Sequence, residues 1–270
     1  VVSSIPMTLS ESEFREKLAK MGELLAEVER HCGKLFGHCN QFLSKLPEFI
    51  SQQLRRSLEE LNNLLRKFFE EVTKIYLNPG WPFSLWSAAQ EWTTKIGGPA
   101  SGLAPKLGAD QLRIDNYWKG PAAEAYASIL PAQQKALEEI KATTDAIGSQ
   151  LTQTAFGIIA MWGGVLAAVV SYCIELGAEA GAAATVVGAP PAAAAAGAST
   201  AKVVGLVIAV TAAFGAYVGT AVDSLTALQQ TLHSNAAFPD GRWPGSTTTD
   251  FDDGSLQDGD TTDWRLQPDG

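Results

Sequence analysis

The sequence predicts an all-α protein, an elongated bundle of long antiparallel helices. Three observations carry that expectation. Apolar residues recur at alternating steps of four and three through residues 10–77 and again through 126–151, the seam of helices packed in coiled-coil fashion. Two stretches, 155–174 and 203–222, hold no charged residue. Short alternating β-branched runs bounded by turns, the mark of strands, do not occur.

Residues 1–9 read as a loose leader. Ser10 precedes Glu11 and Glu13 and then an apolar repeat, the pattern of a helix N-terminus. The repeat runs Phe14, Leu18, Met21, Leu25, Val28, Cys32, Leu35, Cys39, Phe42, Leu46. Pro47 ends or kinks it. A second repeat, Leu54, Leu58, Leu61, Leu65, Phe68, Val72, Ile75, stops at the turn signal Asn78-Pro79-Gly80. Residues 1–80 are therefore expected to form a heptad helical hairpin. Its outer face carries Glu59, Glu60, Arg66 and Lys67.

Residues 81–153 are expected to form a second helical hairpin. Its first arm shows Leu85, Ala89, Trp92 and Ile96, with an interruption at Gly97-Gly98-Pro99. Pro99 and Pro105 leave 99–113 as a kinked or broken helix. Gly120 can take the backbone angles of a tight turn. Pro121 suits the first turn of the next helix, where its missing N–H costs nothing. The four-and-three rhythm then returns through Tyr126, Leu130, Gln133, Leu137, Ile140, Thr144, Ile147 and Leu151. Pro131 is expected to bend that helix.

Residues 154–235 are expected to hold an apolar helix pair. At about 1.5 Å rise per residue, twenty residues span roughly 30 Å, the thickness of a bilayer's hydrocarbon. As candidate transmembrane helices they would form a hairpin with both ends on one side. Lys135 and Lys141 precede the first segment and only Lys202 lies in the link, which favours the cytoplasm for those ends. As soluble core they would pack on the N-terminal hairpin or on another chain. The Ala/Gly/Pro tract 177–201 reads as the link, with Pro190-Pro191 as a break. Gly215-x-x-x-Gly219, with Gly163, Gly164, Ala167 and Ala168 in the first segment, marks Gly215 and Gly219 as helix-packing residues. Residues 224–234 continue the second helix. Residues 236–270 are acidic, polar and rich in Gly, and read as a disordered tail.

The net charge of −9 comes largely from the tail, and no basic cluster occurs. That argues against nucleic acid as a partner. Residues 1–13 have neither the basic nor the apolar region of a secretory signal. Three cysteines make a poor disulfide framework. His31-Cys32 and His38-Cys39 offer spacings of six to eight, about 10.5 Å of helix for seven residues. One zinc cannot bridge that within a helix, so Cys32 and Cys39 read as seam residues. His233 has no neighbouring nucleophile or carboxylate to suggest a triad, and Gly97 to Gly102 lacks the lysine of a phosphate-binding loop. Asp250, Asp252, Asp253, Asp258 and Asp260 do not have the spacing of a calcium-binding loop. No catalytic site, metal or cofactor is expected.

Trp118-Lys119-Gly120, followed by Pro121-Ala122-Ala123-Glu124-Ala125-Tyr126, resembles the Trp-x-Gly (WXG) family of type VII (ESX) secretion in actinobacteria and Gram-positive relatives. The resemblance covers about residues 82–153. It implies a helical hairpin, exported folded and usually paired. Trp118 and Gly120 would form the inter-helix turn, and Trp118, Gly120 and Tyr126 would carry the contact with a helical protein partner, another such protein or a second copy. None of Tyr76, Tyr117, Tyr126, Tyr172 or Tyr217 is followed four residues later by Asp or Glu, the family's export signal. The expectation is a secretion-associated protein, a homo- or hetero-oligomer of the cell envelope, acting by helix packing and membrane docking. The alternatives are an integral membrane helical hairpin or pore former, and a non-catalytic N-terminal module of a toxin system.

Overall fold

The structure, a computed structural model, describes residues 9–112, 120–233 and 236–245. Every regular element among them is helical. The long helices are α1 (Glu11–Phe42), α2 (Glu48–Tyr76), α6 (Pro121–Ala182) and α7 (Ala189–His233). Three short ones, α3 (Pro82–Glu91), α4 (Gly98–Leu103) and α5 (Ala109–Leu112), lie between α2 and α6. The chain divides into two compact units, residues 1–85 with 153–220 and residues 86–152 with 221–270.

Unit 1 is a four-helix bundle. It combines the N-terminal hairpin with residues 153–182 of α6 and 189–220 of α7. Ser10 starts α1 with a capping box: its hydroxyl accepts from the Glu13 N–H at 3.2 Å, and its own N–H donates to the Glu13 carboxylate at 2.6 Å. Such a cap contributes about 1 kcal/mol. The heptad residues face inward as the spacing predicts: Phe14, Met21, Val28, Cys32, Leu35, Cys39 and Phe42 are buried on α1, and Leu54, Leu58, Leu61, Leu65, Phe68 and Val72 on α2. Leu24 is buried besides them, while Leu18 and Leu25 are half-buried, so the stripe is wider than a strict seam. Pro47 begins α2 as its N-cap, after one 3₁₀ turn at Leu43–Lys45.

The contacts give an up-down-up-down order. Tyr76 meets Gly22, so α2 runs back along α1. His38, near the end of α1, lies with Nδ1 3.2 Å from the Ala180 carbonyl, and the Cys39 thiol donates to the Ala189 carbonyl at 3.7 Å. Tyr172 and Thr200 hydroxyls are 2.8 Å apart, and Lys202 pairs with Glu175 at 2.7 Å, so α6 and α7 are antiparallel. At the opposite end Trp162 donates its indole N–H to the Pro79 carbonyl at 2.7 Å, and Phe14 stacks edge-on against Trp81 at 5.6 Å.

Two readings of the apolar region need correction. The Ala/Gly/Pro tract is mostly helix: α6 runs to Ala182, only residues 183–188 turn, and α7 starts at Ala189. Pro190-Pro191 is no break, because it sits in the first turn of α7, where missing N–H donors go unneeded. Alanine is the strongest helix former, and Ala180, Ala183, Ala189, Ala192, Ala193 and Ala196 are buried core. The helix α6 also passes Pro131 without interruption.

Unit 2 has a smaller core. Ala100, Ala104 and Leu137 form one cluster, with Leu107 and Ile140 packed on it, and Ala123 and Leu130 form another. Gly97-Gly98-Pro99 does not interrupt its helix. A π-helical turn, Trp92–Gly97, joins α3 to α4, and the Gly98 N–H reaches five residues back to the Thr93 carbonyl. The wider turn accommodates Pro99 near the start of α4. Gly97 is required for proximity: a Cβ there would collide with Thr144 Oγ1. The break after α4 is as expected, with a 3₁₀ turn at Ala104–Leu107 and the single turn α5. Part of the expected disordered tail is ordered. Residues 236–245 hold a 3₁₀ turn at Pro239–Gly241, bury Ala237, and fix Pro244 through its carbonyl, which accepts from the Gln133 side-chain amide at 3.1 Å. The remaining tail, 246–270, lies outside the described residues.

Candidate functional site

Two regions bear on docking. The first is the Trp-x-Gly corner. Trp118 lies outside the described residues. Gly120 has φ +112°, a conformation that L side chains rarely adopt. Among the described residues nothing crowds its missing Cβ, and the backbone angle itself calls for glycine. Pro121 follows as the first residue of α6, and the Gly120 carbonyl accepts the first helical bond, from the Glu124 N–H at 3.1 Å. Tyr126, one turn further on, is 38 % exposed.

The second region is the apolar helix pair of unit 1. Both α6 and α7 contain a stretch long and apolar enough to cross a membrane, by length and composition. Burial separates them: 44 % of the most apolar stretch of α6 is buried and 17 % of that of α7. Each helix buries one face. Val165, Val169, Tyr172 and Leu176 of α6, and Ala193, Ala196, Val203 and Val207 of α7, join the core. The other faces lie open. Val170, Ile174 and Leu206 are exposed, with Ala and Gly around them, and Val187 is exposed in the turn that joins the two helices. Between residues 153 and 220 the only charged residues are Glu175, Glu179 and Lys202.

The close approach of α6 to α7 does not use Gly215 and Gly219. Among the described residues, nothing lies within 4 Å of where either would carry a Cβ. Gly157 and Gly164 do that work. A Cβ on Gly157 would come within 2.9 Å of the Tyr217 ring, and one on Gly164 within 3.3 Å of Val210. Their spacing of seven returns them to one helix face. That spacing was in the sequence, but what faces a glycine is decided only by the fold. Gly215 and Gly219 sit instead on the open face of α7.

The cysteines behave as seam residues. Cys32, Cys39 and Cys173 are all free and buried. Burial pushes the Cys32 thiol up to about 12, which keeps it protonated and unreactive at neutral pH. Unit 2 contains a cavity of about 360 Å³, lined by Trp92, Ile96, Ile140, Thr143, Leu232 and Phe238 among others. Among the described residues, Thr143 Oγ1 is the buried side-chain atom without a hydrogen-bond partner. The lining is mostly apolar, with Thr143, Thr144 and His233 as its polar members.

These features define an all-α protein whose bundle includes two helices of membrane-crossing length. No protein-family model matches the chain, and neither does any curated protein or solved structure.

Proposed function

We propose that this chain is a helical docking protein of the type VII secretion-associated kind, acting by contact and not by catalysis. In this reading the α6–α7 pair seats its open faces on a membrane while the N-terminal hairpin stays in water. The Trp-x-Gly corner receives a helical protein partner. One observation carries the membrane half: just 17 % of the most apolar stretch of α7 is buried. Burying apolar surface releases about 25 cal/mol per Å², so an open face of this kind favours a bilayer or a second helix. Support for the partner half is local, in the positive φ of Gly120 and the start of α6 at Pro121.

Flotation of the full chain with phosphatidylcholine–phosphatidylglycerol vesicles tests the membrane half. Co-flotation is expected, and a protein left wholly at the bottom of the gradient refutes it. Copurification of wild type and Trp118→Ala with candidate helical partners tests the other half. Equal recovery removes the motif's role.

A second reading is favoured by length: α6 and α7 could span the bilayer as an integral hairpin or pore. Carbonate extraction separates the two. Release into the supernatant indicates surface docking, and retention indicates insertion.

A further inference from the structure

The seam between α1 and α6 brings three metal-ligating side chains to one place. Glu27 and His31 are four residues apart on α1, so they project from one face, one turn apart. Cys173 meets them from α6. Their ligand atoms, one from each residue, all lie within 4.8 Å of one another.

The distances suit a tetrahedral ion. With bonds of about 2.0–2.3 Å, the edges of a zinc site measure roughly 3.3–3.8 Å. Glu27 Oε1 already lies 3.5 Å from His31 Nε2. The Cys173 sulfur, within 4.8 Å of both, has at most about 1 Å to close, a small side-chain adjustment on the scale of that site.

A second observation points the same way. Gly177 lies one turn beyond Cys173, and a Cβ there would stand 3.1 Å from His31 Cε1 and 3.3 Å from Nε2. The absent side chain seats the Nε2 edge of the imidazole against the α6 backbone, beside Cys173. Charge balances too. A carboxylate, a thiolate and a neutral imidazole offset a divalent cation's two charges. Arg30 pairs with Glu27 at 3.3 Å from the exposed side and competes only weakly there.

We propose that Glu27, His31 and Cys173 bind one Zn²⁺, which staples the N-terminal hairpin to the first apolar helix. Zinc binding breaks the Cys173 S–H bond and forms a Zn–S bond, and the proton leaves to solvent. A water fills the fourth position, on the side where His31 and Glu27 reach solvent.

Cobalt titration of the full chain tests this. Co²⁺ should bind one equivalent and produce a sulfur-to-cobalt charge-transfer band that Zn²⁺ abolishes. The band should be lost in Cys173→Ser and weakened in Glu27→Gln. It should persist in the Cys32→Ser/Cys39→Ser double variant, where Cys173 is the remaining cysteine, and that variant keeps the test decisive if Cys173→Ser does not fold. Absence of the band in wild type, its persistence in folded Cys173→Ser, or its loss in the double variant overturns the assignment. None of these outcomes depends on vesicle binding, so this site and the docking reading fail separately.

Discussion

The two hairpins of unit 1 bury similar inner faces and present opposite outer ones. The outer face of α1–α2 is charged. Arg15–Glu11, Lys20–Glu23 and Lys74 with Glu70 and Glu71 pair along it at 2.9–3.0 Å. Exposed pairs of this kind contribute little to stability, so their service is solubility. The outer face of α6–α7 within unit 1 has Lys202–Glu175 as its ion pair among the described residues and is otherwise mostly Ala, Gly, Val, Ile and Leu, with Gln153, Ser171 and Thr220 among its few exposed polar side chains. The difference teaches that inner packing alone does not explain α6 and α7. A helix buried on one side needs only half its surface to be apolar, and these are apolar nearly all round.

The largest effect should come from the shared core. Phe68 is fully buried and packs against Tyr172 of α6 at 5.2 Å. Phe68→Ala should cost about 3–5 kcal/mol, read as a drop in the urea midpoint of unfolding. A loss below 1 kcal/mol would mean that the hairpins do not share a core.

Next is the open face. Ile174 is 70 % exposed. Ile174→Asp should leave the folded chain's stability almost unchanged, yet weaken vesicle partitioning by about 3 kcal/mol if that side chain enters hydrocarbon. Glu59→Ala, on the charged hairpin, should leave partitioning unchanged. Equal effects from the two would erase the contrast between the hairpins.

The glycines sharpen it further. Gly157→Val should destabilise the bundle by roughly 1–3 kcal/mol through overpacking against Tyr217. Gly215→Leu, on the open face, should not destabilise it, since replacing a helical glycine gains up to about 1 kcal/mol. Thermal unfolding of the two variants gives both numbers.

Smallest is the cap. The Glu13 carboxyl is held below the usual carboxylate range, first by the Ser10 N–H and then by its hydroxyl. Its contribution is therefore complete above the ordinary carboxylate pKa and is lost as pH falls through the lowered value. Ser10→Ala should cost about 1 kcal/mol near neutrality and flatten the acid limb of the stability profile only in part, since the backbone N–H at position 10 still holds the Glu13 carboxylate, whereas Glu13→Gln removes that limb's contribution altogether.

Much of this was legible beforehand, and the misses share a cause. The heptads of α1 and α2 could be read because period alone identifies a buried stripe. Pro47 and Gly120 could be read because their backbone demands are local. The tract 177–201 was misread because alanine and glycine look like a link when counted by hydrophobicity, whereas small residues let helices approach closely. Pro190-Pro191 was misread because a proline pair starts a helix as readily as it ends one. Gly215-x-x-x-Gly219 fits a packing motif, but a motif does not reveal whether a partner helix lies against it. The Glu27–His31 spacing of four was visible, but its third member comes from α6, far along the chain, and only the tertiary fold brings it near.

The contrast between the hairpins is tested most directly with an environment-sensitive fluorophore on a single cysteine. In a Cys32→Ser/Cys39→Ser/Cys173→Ser background, the label goes on Ile174→Cys or on Glu59→Cys, and phosphatidylcholine–phosphatidylglycerol vesicles are added. The label at 174 should shift to the blue as it leaves water, and the label at 59 should not move. No shift at 174, or equal shifts at both positions, would contradict a membrane-facing apolar hairpin.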